Sequence, residues 1–185
     1  MLIRIPGWAR NEAMPSDLYS FNNNSDKKTI ITINGKEVDY EIKNGYAVLN
    51  RKWKKNDQVE VKLPMEVRKV VANDKVKSDV GKVALQRGPI IYCAEWVDNN
   101  GKAANLVMPV NTDFHATYNA ELLNGVEILK AKVPAVLIEN NGETIRTQEQ
   151  NFTAIPYYAW ANRGKGEMML WFPEKVKDID IVAAE

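Results

Sequence analysis

Few residues in this chain are of a type that performs chemistry. Among 185 residues there is one cysteine, Cys93, and one histidine, His115. A single cysteine excludes an internal disulfide and a zinc site built from several thiolates. Cys93 lies in the apolar run at residues 90–94, where a thiol packs as a small hydrophobic group and ionises with difficulty. We therefore predict that Cys93 is a core residue rather than a nucleophile.

The other candidates for catalysis or metal binding are equally weak. His115 has no histidine or cysteine at a metal-ligand spacing. Glycoside hydrolysis commonly uses two carboxylates about 5–10 Å apart, and Glu95, Glu139 and Glu143 qualify by residue type alone. Acidic side chains are expected on the solvent face of any soluble sheet. The sequence therefore predicts no catalytic residue and no metal site in this chain.

Aromatic side chains remain as candidates for binding. There are five tryptophans: Trp8, Trp53, Trp96, Trp160 and Trp171. A flat ring can stack on the C–H face of a sugar, but a tryptophan more commonly fills a core or seam, where it buries roughly 150–250 Å². We favour core or seam positions for most of them.

The segment 152–160 is the most aromatic part of the chain, and Pro156 interrupts its strand pattern. Tyr157, Tyr158 and Trp160 are therefore the predicted binding residues, at a surface or an interface. In an extended segment Tyr158 and Trp160 share one face, and Tyr157 points the other way. Arg87, between two strand patterns, is the predicted structural ion-pair partner at a module junction.

The elements that would position these residues are β-strands. Apolar and polar residues alternate in short runs along the whole chain, and no segment sustains a helical period. Asn34-Gly35 and Asn44-Gly45 predict two-residue hairpin turns, because both central positions of a type I′ turn need positive φ. The first of these turns leads into a predicted return strand over residues 36–42. Polar stretches predict mostly loop at 11–28, a loop at 143–151 and a turn at 140–142, and we expect a short strand or tail at 178–185.

Regular strand spacing predicts an all-β fold. We expect two consecutive antiparallel β-sandwich modules, residues 1–80 and 81–185, with the first incomplete at its N-terminus. The chain begins as a strand already under way, so we expect the natural polypeptide to extend upstream.

Charge excludes two classes of partner. The 25 Lys and Arg balance 24 Asp and Glu, for a net charge of +1. A nucleic-acid site needs a basic stripe, and an anionic membrane surface needs a basic patch. No apolar run approaches the roughly 20 residues that cross a bilayer. We therefore predict neither nucleic acid nor membrane as a partner.

Several strings resemble one family in their order and spacing. They include Ile3-Arg4-Ile5-Pro6-Gly7-Trp8, the segments 34–35, 45–53, 56–65 and 83–93, and Ile155-Pro156-Tyr157-Tyr158-Ala159-Trp160-Ala161-Asn162-Arg163-Gly164. Together they resemble the C-terminal region of the β-L-arabinofuranosidase family, glycoside hydrolase family 127. The resemblance covers essentially the whole chain.

The resemblance implies a parent glycoside hydrolase whose catalytic part is missing here. In that family an (α/α) barrel comes first and holds a zinc-bound cysteine nucleophile and glutamates. Two β-sandwiches follow: the first packs on the barrel and draws strands from upstream, and the second helps subunits associate in some members. Cys93 does not match the nucleophile. The resemblance thus implies zinc only in the missing catalytic domain and no cofactor in this chain.

The leading hypothesis is a non-catalytic accessory region, inactive alone, that supports the barrel and subunit assembly. The implied partners are the upstream barrel, a second subunit in a homodimer, and arabinose-containing glycans. The alternatives are a carbohydrate-binding module and a protein-interaction β-sandwich. The N-terminus lacks a signal-peptide pattern and does not reveal localisation, although a periplasmic or extracellular site is favoured if the parent enzyme degrades glycans.

Overall fold

A computed structural model describes residues 1–138 and 145–179. Within these ranges the chain contains strands and short 3₁₀ turns but no α-helix. The strands are β1 Leu2–Arg4, β2 Tyr19–Phe21, β3 Ile30–Ile33, β4 Lys36–Glu37, β5 Glu41–Lys43, β6 Tyr46–Val48, β7 Val59–Lys62, β8 Val67–Ala72, β9 Lys82–Arg87, β10 Ile90–Glu95, β11 His115–Asn119, β12 Val126–Ile138, β13 Ile145–Pro156, β14 Met168–Met169 and β15 Phe172–Pro173. The 3₁₀ turns are Gly7–Arg10, Trp96–Asp98, Tyr157–Ala159 and Val176–Asp178. The predicted all-β, antiparallel fold is confirmed. No helix in the described ranges is long and apolar enough to span a bilayer.

The N-terminal part is a small sandwich of two three-stranded sheets, ordered β1-β6-β5 and β4-β3-β7. Its core contains residues from both sheets: Ile5, Ile31, Ile33, Ala47 and Leu49. The two predicted hairpin turns are present, since Asn34 and Gly35 have φ of 52° and 76°, and Asn44 and Gly45 have 51° and 80°. Asparagine and glycine tolerate this left-handed conformation best.

The predicted return strand over 36–42 is wrong in one respect. β4 ends at Glu37, and β5 begins at Glu41 in the other sheet. At residues 38–40 the chain crosses between the sheets, and Val38 and Tyr40 pack against the small core. The alternation of apolar and polar residues continues through residues 38–40 although the chain moves to the other sheet. Alternation alone therefore could not show this crossing.

The C-terminal part is built on one large sheet, ordered β11-β12-β13-β10-β9-β8-β2, with β14 paired to β10 and β15 to β9. Its main core includes Leu85, Tyr92, Leu129 and Phe152, with Phe152 and Phe172 packed edge to face at 5.5 Å. A second cluster, around Cys93, lies on the opposite face of β10.

The loop predicted for 143–151 is wrong where the structure describes it. Residues 145–151 belong to β13 and pair with β12 from Ile138↔Ile145 to Lys132↔Asn151. They are polar because this end of the long hairpin extends into solvent, and residues 146–149 are exposed. The turn predicted at 140–142 lies outside the described residues, as do residues 180–185 of the predicted strand or tail, and Asp178 ends a 3₁₀ turn.

Hydrogen bonding links the strands on either side of residue 80. β8 pairs with β9 through Val67↔Arg87 to Val71↔Val83, and β2 extends the same sheet through β8. Trp8 approaches this sheet: a Cβ on Gly88 would lie 3.7 Å from its Cη2 atom. The division into modules at residue 80 stays a prediction.

Candidate functional site

The three predicted binding residues lie together on one exposed loop. We call residues 157–163 the aromatic loop. Tyr157, Tyr158 and Trp160 are 43%, 70% and 41% exposed. Directly after β13, residues 157–159 form a 3₁₀ turn, and the Tyr157 and Trp160 rings stack with centroids 5.7 Å apart and planes 12° apart. The loop therefore presents a pair of nearly parallel rings, and Tyr158 contributes a third exposed ring.

The prediction that Tyr158 and Trp160 share a face, with Tyr157 opposite, is wrong. It assumed an extended segment, whereas the segment turns immediately after Pro156. In a 3₁₀ turn the side chains at i and i+3 eclipse one another. Tyr157 and Trp160 stand in that relation, which explains their stacking.

An ion-pair network anchors the end of the aromatic loop. The Arg163 guanidinium donates from Nε to Glu95 Oε2 at 2.8 Å, and from Nη1 and Nη2 to the Asp98 carboxylate at 2.9 and 2.6 Å. Its Nη2 also donates to Glu95. Burial alone would lower the pKa of Arg163, but the hydrogen bonds that it donates to Asp98 and Glu95 raise the pKa above its usual value. Arg163 is thus a permanent cation between two carboxylates.

Backbone contacts fix the middle of the same loop. Ala161 adopts a left-handed φ of 67°, a conformation that costs a non-glycine residue about 1–2 kcal/mol. Its N–H donates to Glu95 Oε1 at 3.3 Å, and the Asn162 side-chain amide donates to the Ala159 and Trp160 carbonyls. Such strain persists only where surrounding contacts over-determine the backbone.

The floor beneath the loop is apolar. Cys93 and Ile155 are paired across β10 and β13 and are fully buried, and Ala159 packs into the same cluster. Burial raises the pKa of the Cys93 thiol to about 12, with the Glu95 charge adding to the shift and Arg163 opposing it. The predicted core role of Cys93 is confirmed.

A second charged pair lies at the turn end of β9. Arg87 Nη2 is 3.2 Å from Glu127 Oε1, which confirms Arg87 as a structural ion-pair partner. The partner belongs to β12 of the same sheet rather than to a module junction. Burial raises the pKa of the Tyr92 phenol, while the nearby Arg87 charge opposes the shift.

The remaining sequence candidates do not join the aromatic loop. His115 is exposed on β11, with Nε2 3.5 Å from Asp113 Oδ2. Glu139 and Glu143 lie outside the described residues. Glu95 is occupied by Arg163 and the Ala161 N–H, so it serves as an anchor.

The other four tryptophans are half-buried and packed against neighbours. Trp171 stacks on Tyr19 with centroids 5.4 Å apart. The Arg51 guanidinium lies 5.2 Å from the Trp53 ring centroid. The Trp96 indole lies directly over Gly166, where a Cβ would come within 1.9 Å of its Nε1 atom. Among the five, Trp160 is thus the one that the structure places at the surface.

Sequence reasoning missed the network that holds the loop. Glu95 and Asp98 are separated from Arg163 by 68 and 65 residues. The available signals were two carboxylates three residues apart and an arginine in the turn after the aromatic segment. Nothing in their spacing indicated that they meet, because the pairing of β10 with β13 and β14 brings them together.

The described residues do not fit a zinc site. They contain no cluster of three or more His, Cys, Asp or Glu side chains that could hold a metal ion. A zinc-bound cysteine is a thiolate, whereas the enclosed Cys93 thiol has a pKa near 12.

Two family profiles match the chain one after the other. The profile described as "Beta-L-arabinofuranosidase, GH127 middle domain" matches residues 1–65, and "Glycoside hydrolase family 127 C-terminal domain" matches residues 67–173. The chain belongs to glycoside hydrolase family 127. The resemblance found in the sequence is confirmed.

Curated and solved relatives agree with this membership. A non-reducing end β-L-arabinofuranosidase of Bifidobacterium longum subsp. longum is 32% identical in a match that covers 91% of this chain and 25% of that protein. Among solved structures, a GH127 β-arabinofuranosidase matches with a TM-score of 0.89 and 41% identity over 96% of this chain. A GH127 β-L-arabinofuranosidase from Geobacillus stearothermophilus T6 matches with a TM-score of 0.78 and 38% identity over 94% of this chain.

The chain matches only part of each relative. This chain covers 28% of the first solved relative and 26% of the second. It therefore spans about a quarter of the length of the relatives it matches.

Proposed function

We propose that this chain is the non-catalytic accessory region of a glycoside hydrolase acting on β-L-arabinofuranosides. Its role is to support a catalytic barrel and the assembly of subunits. The observation that carries the proposal is the consecutive match to a middle and a C-terminal family domain, in a chain that covers only 25% of its curated relative. The names of the relatives supply the substrate class.

The chemistry of the described residues supports this role. Cys93 is enclosed in an apolar cluster, and Glu95 is held by Arg163 and the Ala161 N–H. A nucleophile or general acid must instead reach its substrate. The proposal therefore assigns catalysis, and any zinc, to the part of the enzyme that lies outside this match.

The edge of the first sandwich supports contact with further protein. β1 ends its sheet in the described part of the chain, with β6 on one side. Leu2 on β1 is 63% exposed. An edge strand presents backbone N–H and C=O groups that another strand can pair with. We propose that the first sandwich is completed at this edge by chain from outside residues 1–185.

A hydrolysis assay tests the absence of catalysis. The purified chain is incubated with an aryl β-L-arabinofuranoside, zinc and a thiol reductant, beside the full-length Bifidobacterium longum relative as positive control. We expect the relative to release the aryl alcohol and this chain to match the buffer. Turnover by this chain at a rate comparable to the relative would contradict the proposal.

Sedimentation at several protein concentrations tests the assembly role separately. Mass that rises with concentration supports self-association. A monomer at every concentration would contradict subunit assembly by this region, without affecting the hydrolysis result.

A further inference from the structure

We propose that Tyr157, Tyr158 and Trp160 form a saccharide-binding surface that holds β-L-arabinofuranose-containing glycans near the enzyme. The choice of sugar rests on the proposed function. The existence of a saccharide surface rests on the geometry of the aromatic loop, which neither family membership nor the proposed supporting role requires.

The shape of the loop fits a sugar ring. Tyr157 and Trp160 cover each other on one side and are 43% and 41% exposed, so an outer ring face remains available. Such a face can pack against the C–H bonds of a furanose or pyranose ring. The tyrosine hydroxyl and tryptophan N–H are polar groups at the ring edges, where sugar hydroxyls would lie. Tyr158, 70% exposed, adds a third ring for a neighbouring sugar unit.

The loop is already fixed before any ligand arrives. Arg163 ties its end to Glu95 and Asp98, and Glu95 also holds the strained Ala161. Ordering a loop on binding reduces affinity, so a pre-formed site gains affinity relative to a mobile one. The described structure thus maintains a strained backbone while leaving three aromatic side chains at the surface. Strain of this kind is commonly found at binding sites.

Size and charge favour a small neutral ligand over a stable protein partner. An aromatic side chain supplies roughly 150–250 Å² when fully buried, and these three are only partly exposed. A standard protein interface takes about 800 Å² from each partner. Arg163, the charged residue within the aromatic loop, is already paired with Glu95 and Asp98, so residues 157–163 offer no unpaired charge to an ionic ligand.

Isothermal titration calorimetry of the whole chain tests the inference. The probes are methyl β-L-arabinofuranoside and arabino-oligosaccharides of increasing length. We expect binding heat that strengthens with chain length, and a dissociation constant raised about tenfold or more by Trp160→Ala. Tyr158→Ala should weaken the longer probes most. The matched control is Tyr118→Ala, which removes a tyrosine that is 63% exposed on β11, and it should bind as the unchanged chain does.

A conservative variant and a folding check distinguish loss of binding from loss of structure. Trp160→Phe retains a ring and should retain most of the binding, and thermal melting checks that each variant folds. The inference is overturned if the unchanged chain gives no heat with any probe, or if Trp160→Ala binds as well as the control. It is also overturned if Trp160→Ala instead removes self-association in sedimentation, which would make the loop a protein contact.

Failure of this inference is distinguishable from failure of the proposed function. A chain that neither hydrolyses nor binds arabinofuranosides contradicts only the saccharide surface. Hydrolysis by the chain would contradict the proposed function whatever the calorimetry shows.

Discussion

The two halves of the chain hold their exposed loops in different ways. In the N-terminal sandwich, the turns at Asn34-Gly35 and Asn44-Gly45 have the left-handed backbone that a tight hairpin needs. In the C-terminal sheet, the aromatic loop is held by Arg163 through carboxylates 65 and 68 residues away. The hairpin turns are thus fixed by their own residues, whereas the aromatic loop is fixed by residues that are distant in the sequence.

This difference matters for function as well as for folding. A two-residue turn joins two strands and presents small polar side chains. The aromatic loop presents Tyr157, Tyr158 and Trp160 while its backbone is fixed from behind by Glu95. A tertiary anchor therefore allows large apolar side chains to remain exposed in one arrangement. The following predictions test whether the contacts that hold the aromatic loop contribute more to stability than the Asn-Gly turns do.

Removing the central cation should have the largest effect. Arg163→Met leaves the nearly buried Glu95 and its neighbour Asp98 without their counter-charge. We expect a loss of about 3–5 kcal/mol in the free energy of unfolding, as for other broken buried ion pairs. Urea denaturation followed by tryptophan fluorescence measures it.

An exposed pair provides the control for that loss. Lys43 and Glu41 pair in solvent on β5, so Lys43→Met should change the free energy of unfolding by less than about 1 kcal/mol. Equal losses for Arg163→Met and Lys43→Met would show that the network does not anchor the loop.

Adding one methyl group at Gly166 should have the next largest effect. Its Cβ would lie 1.9 Å from Trp96 Nε1, so the indole must move. We expect Gly166→Ala to lower the free energy of unfolding by about 1–3 kcal/mol through this overpacking. At Gly101 a Cβ meets nothing within 4 Å, although φ is +81°. Gly101→Ala thus reports a left-handed backbone cost without a steric one, whereas Gly166 lies outside the left-handed region. Unchanged stability in Gly166→Ala would therefore contradict the steric explanation.

Burial of the Cys93 thiol in the apolar cluster under the loop predicts that the stability of the fold depends on pH. The pKa of Cys93 rises from about 9 in the unfolded chain to about 12 in the fold. The folded state therefore keeps a proton that the unfolded state loses, so the free energy of unfolding falls as pH rises above 9. By pH 10 this loss of stability should reach roughly 1.4 kcal/mol.

The variant Cys93→Ala isolates this contribution. It should lower stability at neutral pH through the cavity it leaves, yet show a shallower loss between pH 8 and pH 10 than the unchanged chain. Parallel pH profiles for the two proteins would mean that the thiol is not held in a dry environment.

The hairpin turn should give the smallest effect. Gly35 has φ of +76° and no atom within 4 Å of a Cβ, so Gly35→Ala pays only the left-handed backbone cost, about 1 kcal/mol. Gly35→Asn should lose less, because asparagine tolerates this conformation. A loss for Gly35→Asn that exceeds the loss for Gly35→Ala would contradict the conformational explanation.

The same contrast separates what the sequence could predict from what it could not. The strands and the two Asn-Gly turns depend on neighbouring residues, and both were predicted. The move of residues 38–40 between sheets and the extension of β13 to Ile145 depend on which strands meet, and both were missed. The alternation of apolar and polar residues indicates which side chains face inward, but it does not show which sheet a strand joins.

The candidate site divides in the same way. Composition and Pro156 identified Tyr157, Tyr158 and Trp160 as a group. Their stacking was missed because it requires the 3₁₀ turn at 157–159. The Arg163 network was missed because its members meet only after the large sheet has formed.

The central claim is that this chain functions as one region of a longer glycoside hydrolase, and the size of the native polypeptide tests it most directly. Antibodies raised against the purified chain are used to probe an extract of the cells that make it. Because the chain covers 25% and 28% of its relatives, we expect a polypeptide about four times its length. A native band at 21.0 kDa, with no larger form present, would contradict the account.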